Sequence, residues 1–260
     1  MVDSTIPRAG PATPAGIVVA SIRLMSAPAV LAGAGLAGAA LWCGPGLAVH
    51  APAVARVLGV PRTLERGAGV ALTYDDGPHP EGTPAILDIL REQGVKATFF
   101  LVGEQVERYP ELAREIAQEG HEPAVHGFKH RNQMRLTPAA FADDLERALA
   151  TIAEACGQVP SWYRPPYGIF TLSGLAAVRR RGLWPQLWSK WGRDWRAGPP
   201  SEIAARATRA LTSRDVILLH DADWYSAAGS HRSTAEATPA IVERIRSRAL
   251  ATVTLSGATR

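Results

Sequence analysis

The chain is poor in cysteine, in clustered charge and in repeats, and each shortage closes a class of function. Two cysteines in 260 residues, Cys43 and Cys156, cannot staple a chain of this length. Cys43 sits in an apolar N-terminal stretch and Cys156 closes an expected helix, so both read as small buried apolar groups. The 28 basic and 24 acidic residues leave a net charge of +4, and Arg179-Arg180-Arg181 is the one tight basic run. It ends an expected helix, where cations offset the helix dipole. No basic stripe with interleaved aromatics accompanies it, so nucleic acid is not an expected partner, and no protein partner is expected either. Beyond the first 68 residues there is no low-complexity linker, and there is no internal repeat. With 47% apolar and 20% charged residues the composition excludes disorder, and 260 residues suit one sizeable α/β domain.

A further absence has direction. Between Arg23 and Arg56 there is no Lys, Arg, Asp or Glu, and the run is rich in Ala, Gly and Leu. It exceeds the ~20 apolar residues that cross a bilayer. Arg8 and Arg23 precede it, as in a signal sequence or signal anchor. Arg56, Arg62 and Arg66 follow it, so the charge comparison that orients such segments is nearly balanced. Ala37-Gly38-Ala39 is the one candidate cleavage site. The favoured reading is an uncleaved anchor with the domain outside the cytoplasm, and the competing one is an Ala/Gly-rich arm lying on the domain. The expected organisation is an apolar anchor or signal segment over 1–55, a linker over 56–68 and a catalytic domain over 69–258.

From Gly69 onward strand-like and helix-like segments alternate. An apolar run over 70–74 ends at Asp75-Asp76. Thr83 is expected to cap a helix whose buried face is Ile86, Leu87, Ile89 and Leu90, ended by Gly94. Val95, Ala97, Phe99 and Leu101 alternate in the next strand. A helix over 110–119 stops at Gly120, and a strand leads to His126. Thr137 caps a long helix carrying Phe141, Leu145, Leu149, Ile152 and Cys156 on one face. Strands centred on Tyr163, Leu187 and Ile217 follow, with helices near 172–181, 202–212 and 235–248, and Val253 and Leu255 close the pattern. Such alternation implies parallel strands with helices outside, and about seven units are enough to curl into a barrel.

Five short stretches carry chemistry: 73–78 with Asp75-Asp76, 126–130 with two histidines, 164–168 beginning at Arg164, Asp194-Trp195, and Leu218-Leu219-His220. Asp75, His126, Arg164, Asp194 and His220 all fall at or just past the C-terminal end of an expected strand, the rim where barrels build active sites. His126 and His130, four apart, would share one face of a helical turn and reach a single ion, although the spacing alone also suits unrelated surface histidines. Asp75 and Asp76 could simply cap a turn. At a strand end, however, neighbours point in different directions, so one can ligate a metal while the other faces substrate. Arg164 is the natural partner of the carboxylate that does not bind metal. His220 is either a core histidine or a general acid, with Asp194 a candidate to orient it. Trp191, Trp195, Trp224 and Tyr225 follow strand ends and are candidates to stack on pyranose rings or to anchor loops. The segment 221–233 reads as a long polar loop before a helix capped by Thr234.

With these five motifs in order, residues 70–256 resemble the polysaccharide deacetylases of carbohydrate esterase family 4. The resemblance implies a distorted (β/α) barrel and hydrolysis of N-acetyl groups on amino sugars of chitin- or peptidoglycan-like glycans. It implies that Asp75 is the catalytic base, Arg164 its orienting partner, and Asp76, His126 and His130 the ligands of a divalent metal, typically zinc, with cobalt or other divalent ions substituting. Tyr167 would offer its backbone N–H to the oxyanion, Asp194 would tune the general acid His220, and Pro166, Tyr167, Trp195 and Leu218 would line the substrate groove. Tyr74 stands where the family usually has Phe, Val125 where it is commonly polar, and Gly127 where it has Ser or Thr. The last change removes a hydroxyl that would brace the metal-binding loop. Two rival readings are a deacylase or deformylase of a lipid-linked sugar, held at the bilayer by the apolar segment, and a catalytically silent sugar-binding relative. A metal-dependent peptidase lacks its His-Glu-x-x-His helix.

Overall fold

The computed structural model describes Met1, Gly46 and residues 51–259. The expected membrane segment, with Cys43, lies outside the described residues apart from its last few positions. Among the described residues no helix is long and apolar enough to cross a membrane.

Eight strands form one sheet whose strand pairs are all parallel: β1 Val70–Asp75, β2 Thr98–Leu101, β3 Glu122–Val125, β4 Trp162–Tyr163, β5 Trp184–Pro185, β6 Lys190–Trp191, β7 Val216–His220 and β8 Thr252–Val253. The hydrogen-bonded order is β5-β4-β3-β2-β1-β7-β6, with β8 beside the start of β1, and the sheet curls into a half-barrel. Every residue of β1 is buried. That is the signature of a parallel strand covered by helices on one face and by the barrel interior on the other. Strand β2 is likewise buried throughout, so the apolar alternation expected over 95–101 marks a fully enclosed strand rather than a half-exposed one.

The helices are α1 Pro52–Val57, α2 Gly82–Glu92, α3 Gly103–Arg108, α4 Pro110–Gln118, α5 Pro138–Cys156, α6 Leu172–Arg180, α7 Pro200–Ala207 and α8 Ser230–Arg246. Helix α5 starts where expected, because the Thr137 hydroxyl accepts from Ala140 N at 3.2 Å, and it stops at Gly157, whose φ of 68° suits glycine. It buries Phe141, Leu145 and Ile152, each worth about 1.5–3 kcal/mol in water-exclusion terms. Cys156 at its end is half-buried, its thiol donating to Ala113 O at 3.3 Å.

Four local expectations need correction. Thr83 is not the cap of α2: Glu81 is, and the Thr83 hydroxyl instead accepts from His79 N at 2.8 Å and donates to Asp221 Oδ2 at 2.5 Å. Thr234 caps nothing, since α8 begins at Ser230 and the Thr234 hydroxyl donates to Asp194 Oδ2 at 2.9 Å. Both threonines are taken by buried aspartates from other elements, which outbid the local cap. Around Leu187 there is no strand but a crossing between β5 and β6. Leu187 N donates to Pro61 O at 2.9 Å and its carbonyl accepts from Arg164, so its backbone groups are not available to a ladder. Residues 56–68, expected as a linker, bury two side chains in the core. Val60 and Leu64 are 1% and 3% exposed, and Leu64 N donates to Arg214 O at 2.8 Å.

Candidate active site and metal centre

The C-terminal ends of β1, β3, β4 and β7 meet at one rim. Pairing between β1 and β7 sets Thr73 opposite Leu218 and Asp75 opposite His220. Alternation along a strand then turns these four side chains toward the same, interior side. At the centre lies Arg164, fully buried, whose Nη1 donates to Asp75 Oδ1 at 2.7 Å and to Thr73 Oγ1 at 2.8 Å. Its Nε and Nη2 reach the carbonyls of Gln186 and Leu187, and its guanidinium lies 4.0 Å from the Phe100 ring centre. A charge taken this far out of water costs several kcal/mol, and the Asp75 carboxylate offsets that cost. One oxygen of Asp75 is thereby fixed, while Oδ2 faces His126 Nε2 at 3.8 Å.

The next residue turns the other way. Asp76 has φ 81°, a left-handed conformation at the strand's end, and its Oδ1 lies 3.4 Å from His126 Nε2 and 3.4 Å from His130 Nε2. That oxygen is buried with no hydrogen-bond partner. The three ligating atoms lie within 4.8 Å of one another. Three ligands on a tetrahedral zinc, with bonds of ~2.0–2.1 Å, stand about 3.3 Å apart, so the donor set fits a zinc-sized cation. The tautomers agree. His126 Nδ1 lies 2.8 Å from Arg164 O, and a carbonyl only accepts, so the proton is on Nδ1 and the lone pair on Nε2 faces Asp76. Burial alone would raise the Asp76 pKa, yet the imidazoles of His126, His130 and His220 overcome it and bring the value down to about 2. Burial pulls His130 down to about 4, against the pull of Asp76, so its ring is neutral at pH 7 and able to ligate.

The two histidines do not share a helical turn, as their spacing implies. Residues 126–130 are a loop, and Gly127 takes φ 89°. A Cβ there would stand 3.2 Å from Lys129 O and 3.3 Å from Asp144 Oδ2. Glycine therefore answers a backbone and space requirement. The loop is braced by Asp144 on α5, which accepts from Phe128 N at 2.8 Å and Lys129 N at 3.3 Å and pairs with Arg131 at 2.5 Å. Sequence reasoning missed Asp144. The signal was a carboxylate three residues after Phe141 and four before Ala148, on the buried face of its helix.

Opposite the metal corner, the His220 backbone N–H donates to Asp194 Oδ2 at 2.7 Å, and His220 Nδ1 stands 3.2 Å from both Asp194 oxygens. Asp194 is fully buried. Burial works against a charged His220, but Asp194, with Asp76 and Asp75 behind it, raises its pKa to about 10. Tyr167 occupies a left-handed turn with φ 61° after buried Pro166, and it is 56% exposed at the rim. Trp195 lies parallel to Trp191 at 6.3 Å, with Leu218 buried beside them on β7 opposite Trp191. Trp224 is a loop anchor, its Nε1 donating to Pro78 O at 3.1 Å and its ring stacked 6.2 Å from Tyr109. The loop expected over 221–233 is shorter than that, because α8 begins at Ser230.

The chain has known relatives. The polysaccharide deacetylase family profile matches residues 65–184. A chitooligosaccharide deacetylase of Bradyrhizobium sp. (strain ANU 289) is 39% identical over 170 residues, covering 65% of this chain and 76% of that protein. A peptidoglycan-N-acetylglucosamine deacetylase of Bacillus cereus is 32% identical, covering 72% of this chain and 67% of that one. Among solved structures, a family 4 carbohydrate esterase from Streptomyces lividans in complex with acetate superimposes with a TM-score of 0.66 at 28% identity, over 74% of this chain and 96% of its own. With a relative 39% identical, of which it covers 76%, and the family profile matching residues 65–184, the chain belongs to the polysaccharide deacetylase family.

Proposed function

We propose that the protein is a metal-dependent hydrolase that removes N-acetyl groups from N-acetylated amino sugars in a chitin- or peptidoglycan-like glycan. The observation that carries this reading is the convergence of Asp75, Asp76, His126, His130 and His220 on one rim, with one buried carboxylate oxygen left without a hydrogen-bond partner between two imidazole nitrogens. Asp76, His126 and His130 would hold the cation. When bound, a divalent metal polarises a carbonyl and lowers the pKa of water toward ~7.

The chain's own groups supply the remaining chemistry. Asp75, anchored through Oδ1 by Arg164, keeps Oδ2 beside the metal corner and takes the proton of the attacking water as general base. The backbone N–H of Tyr167 donates to the developing oxyanion, where losing one good donor costs about 3 kcal/mol. His220, kept protonated by Asp194 at neutral pH, gives its proton to the departing amine. Acetate and the free amino sugar leave. Pro166, Tyr167, Trp195 and Leu218 line the groove where the sugar lies. The uncharged run between Arg23 and Arg56 supports reading the protein as anchored in a membrane with its catalytic domain outside the cytoplasm.

The test is acetate release by the full-length chain from peptidoglycan, chitooligosaccharides and polyprenyl-linked N-acetyl sugars, with chelator and after zinc is restored. Zinc-dependent acetate from the polymeric or oligomeric glycans is expected. No acetate from any of them, with zinc demonstrably bound, would sink the reading.

A further inference from the structure

Resting on the metal reading above, we infer that Tyr225 is a positioning residue, which holds the ligand His130 by stacking on its ring in place of the hydrogen bond that a metal-bound imidazole ordinarily makes. Metal-ligating histidines almost always donate their second ring N–H to a carbonyl, a carboxylate or water, which fixes the ring's orientation. His126 follows that rule through Arg164 O. His130 does not: its Nδ1 is buried with no hydrogen-bond partner. Its ring is instead held by aromatic faces. Tyr225 lies parallel to it, with centroids 4.2 Å apart and planes 10° apart, and Tyr167 meets it edge-on at 4.6 Å and 61°.

Tyr225 is itself fixed from outside. Its hydroxyl donates to Glu104 Oε1 at 2.8 Å and accepts from Gln105 Nε2 at 3.0 Å, both on α3. The two residues before it are pinned as well. Trp224 bonds Pro78 O and stacks on Tyr109, and Asp223 accepts from Gly229 N at 2.6 Å and from His79 Nε2 at 3.2 Å. His79, Asp223 and His231 together have the composition of a second metal site, their ligating atoms also within 4.8 Å. The tautomer decides otherwise. His79 Nδ1 accepts from the N–H groups of Glu81 at 3.2 Å and Gly82 at 3.0 Å, so the ring proton sits on Nε2 and points at Asp223. His79 thus turns a proton, not a lone pair, toward Asp223. The cluster is a clasp that joins the loop after β1 to the loop after β7, and Tyr225 is what the clasped loop presents to the metal corner.

The experiment measures zinc dissociation constants of the full-length protein by chelator competition, together with the visible spectrum of the cobalt-substituted form. Y225A is expected to weaken zinc about tenfold and to alter the cobalt spectrum, as loss of an outer-shell partner of a ligand does. Y225F keeps the stacked ring and is expected to keep both the affinity and the spectrum. Y225L fills the volume without a flat ring and serves where the alanine variant does not fold; it is expected to follow Y225A. Parental zinc affinity and an unchanged cobalt spectrum in Y225A or Y225L would overturn the inference, whatever the enzyme's turnover. A parent that binds zinc yet releases no acetate would overturn the deacetylase reading alone and leave the role of Tyr225 standing.

Discussion

Among the described residues two clusters hold one aspartate and two histidines with their ligating atoms within 4.8 Å of one another, and they differ in what a histidine turns toward the aspartate. In the first, Asp76 Oδ1 has no hydrogen-bond partner, and His126 turns a lone pair toward it because its other nitrogen donates to Arg164 O. In the second, the backbone of Glu81 and Gly82 takes the lone pair of His79, and its proton is spent on Asp223. Residue type and proximity are equal; the backbone groups behind His126 and His79 are not. A carbonyl behind an imidazole makes a ligand, whereas amides behind it make a hydrogen-bond donor.

The sharpest way to break that contrast is to count metal. One zinc per chain is expected, and Asp76→Ala should abolish it by equilibrium dialysis, while two zincs per chain would show that the clasp also binds an ion. Asp75→Asn should lower turnover by about 10²–10⁴-fold, the range of a lost general base, with zinc content unchanged. Wild-type turnover in that variant would remove Asp75 from the role. Asp194→Asn probes the acid. The pKa of His220 is raised, so the protonated form and the stability it contributes are complete below the unfolded value of ~6.5 and lost as pH rises through about 10. Without the Asp194 charge the alkaline limb of the turnover profile should move to lower pH, and an unmoved limb would separate His220 from Asp194. Asp144→Ala should weaken zinc about 10–100-fold by loosening the 126–130 loop, read by chelator competition. The smallest effect is expected in the clasp itself. Asp223→Asn should cost about 1–2 kcal/mol of unfolding free energy in denaturant melts, with zinc stoichiometry unchanged.

Much of this was legible in the chain. The run at 70–74 ending in paired aspartates, the Thr137-capped helix and the strand before His220 are local patterns, with apolar periodicity and caps on the spot. What escaped was non-local. Thr83 and Thr234 carry good capping side chains, but Asp221 and Asp194 from distant elements claim their hydroxyls. Leu187 looks like a strand centre, but Arg164 and Pro61 take its backbone groups. Spacing suggested a helical turn at His126 and His130; the left-handed Gly127 and the Asp144 brace make it a loop that still brings both rings to one point. The role of Asp144 had a trace in sequence, a charge on an apolar helical face, whereas that of Tyr225 had none beyond its place after a strand.

By itself, then, the sequence determined which chemical groups are present, that they sit at strand ends, and that parallel strands would carry those ends to a common rim. Tertiary structure alone decided which nitrogen of His126 keeps its lone pair, which aspartate faces the metal corner and which faces arginine, and what holds His130 in place. The reason is physical: the carbonyl behind His126, the guanidinium on Asp75 and the ring on His130 arrive from tens of residues away, and no local pattern records their arrival.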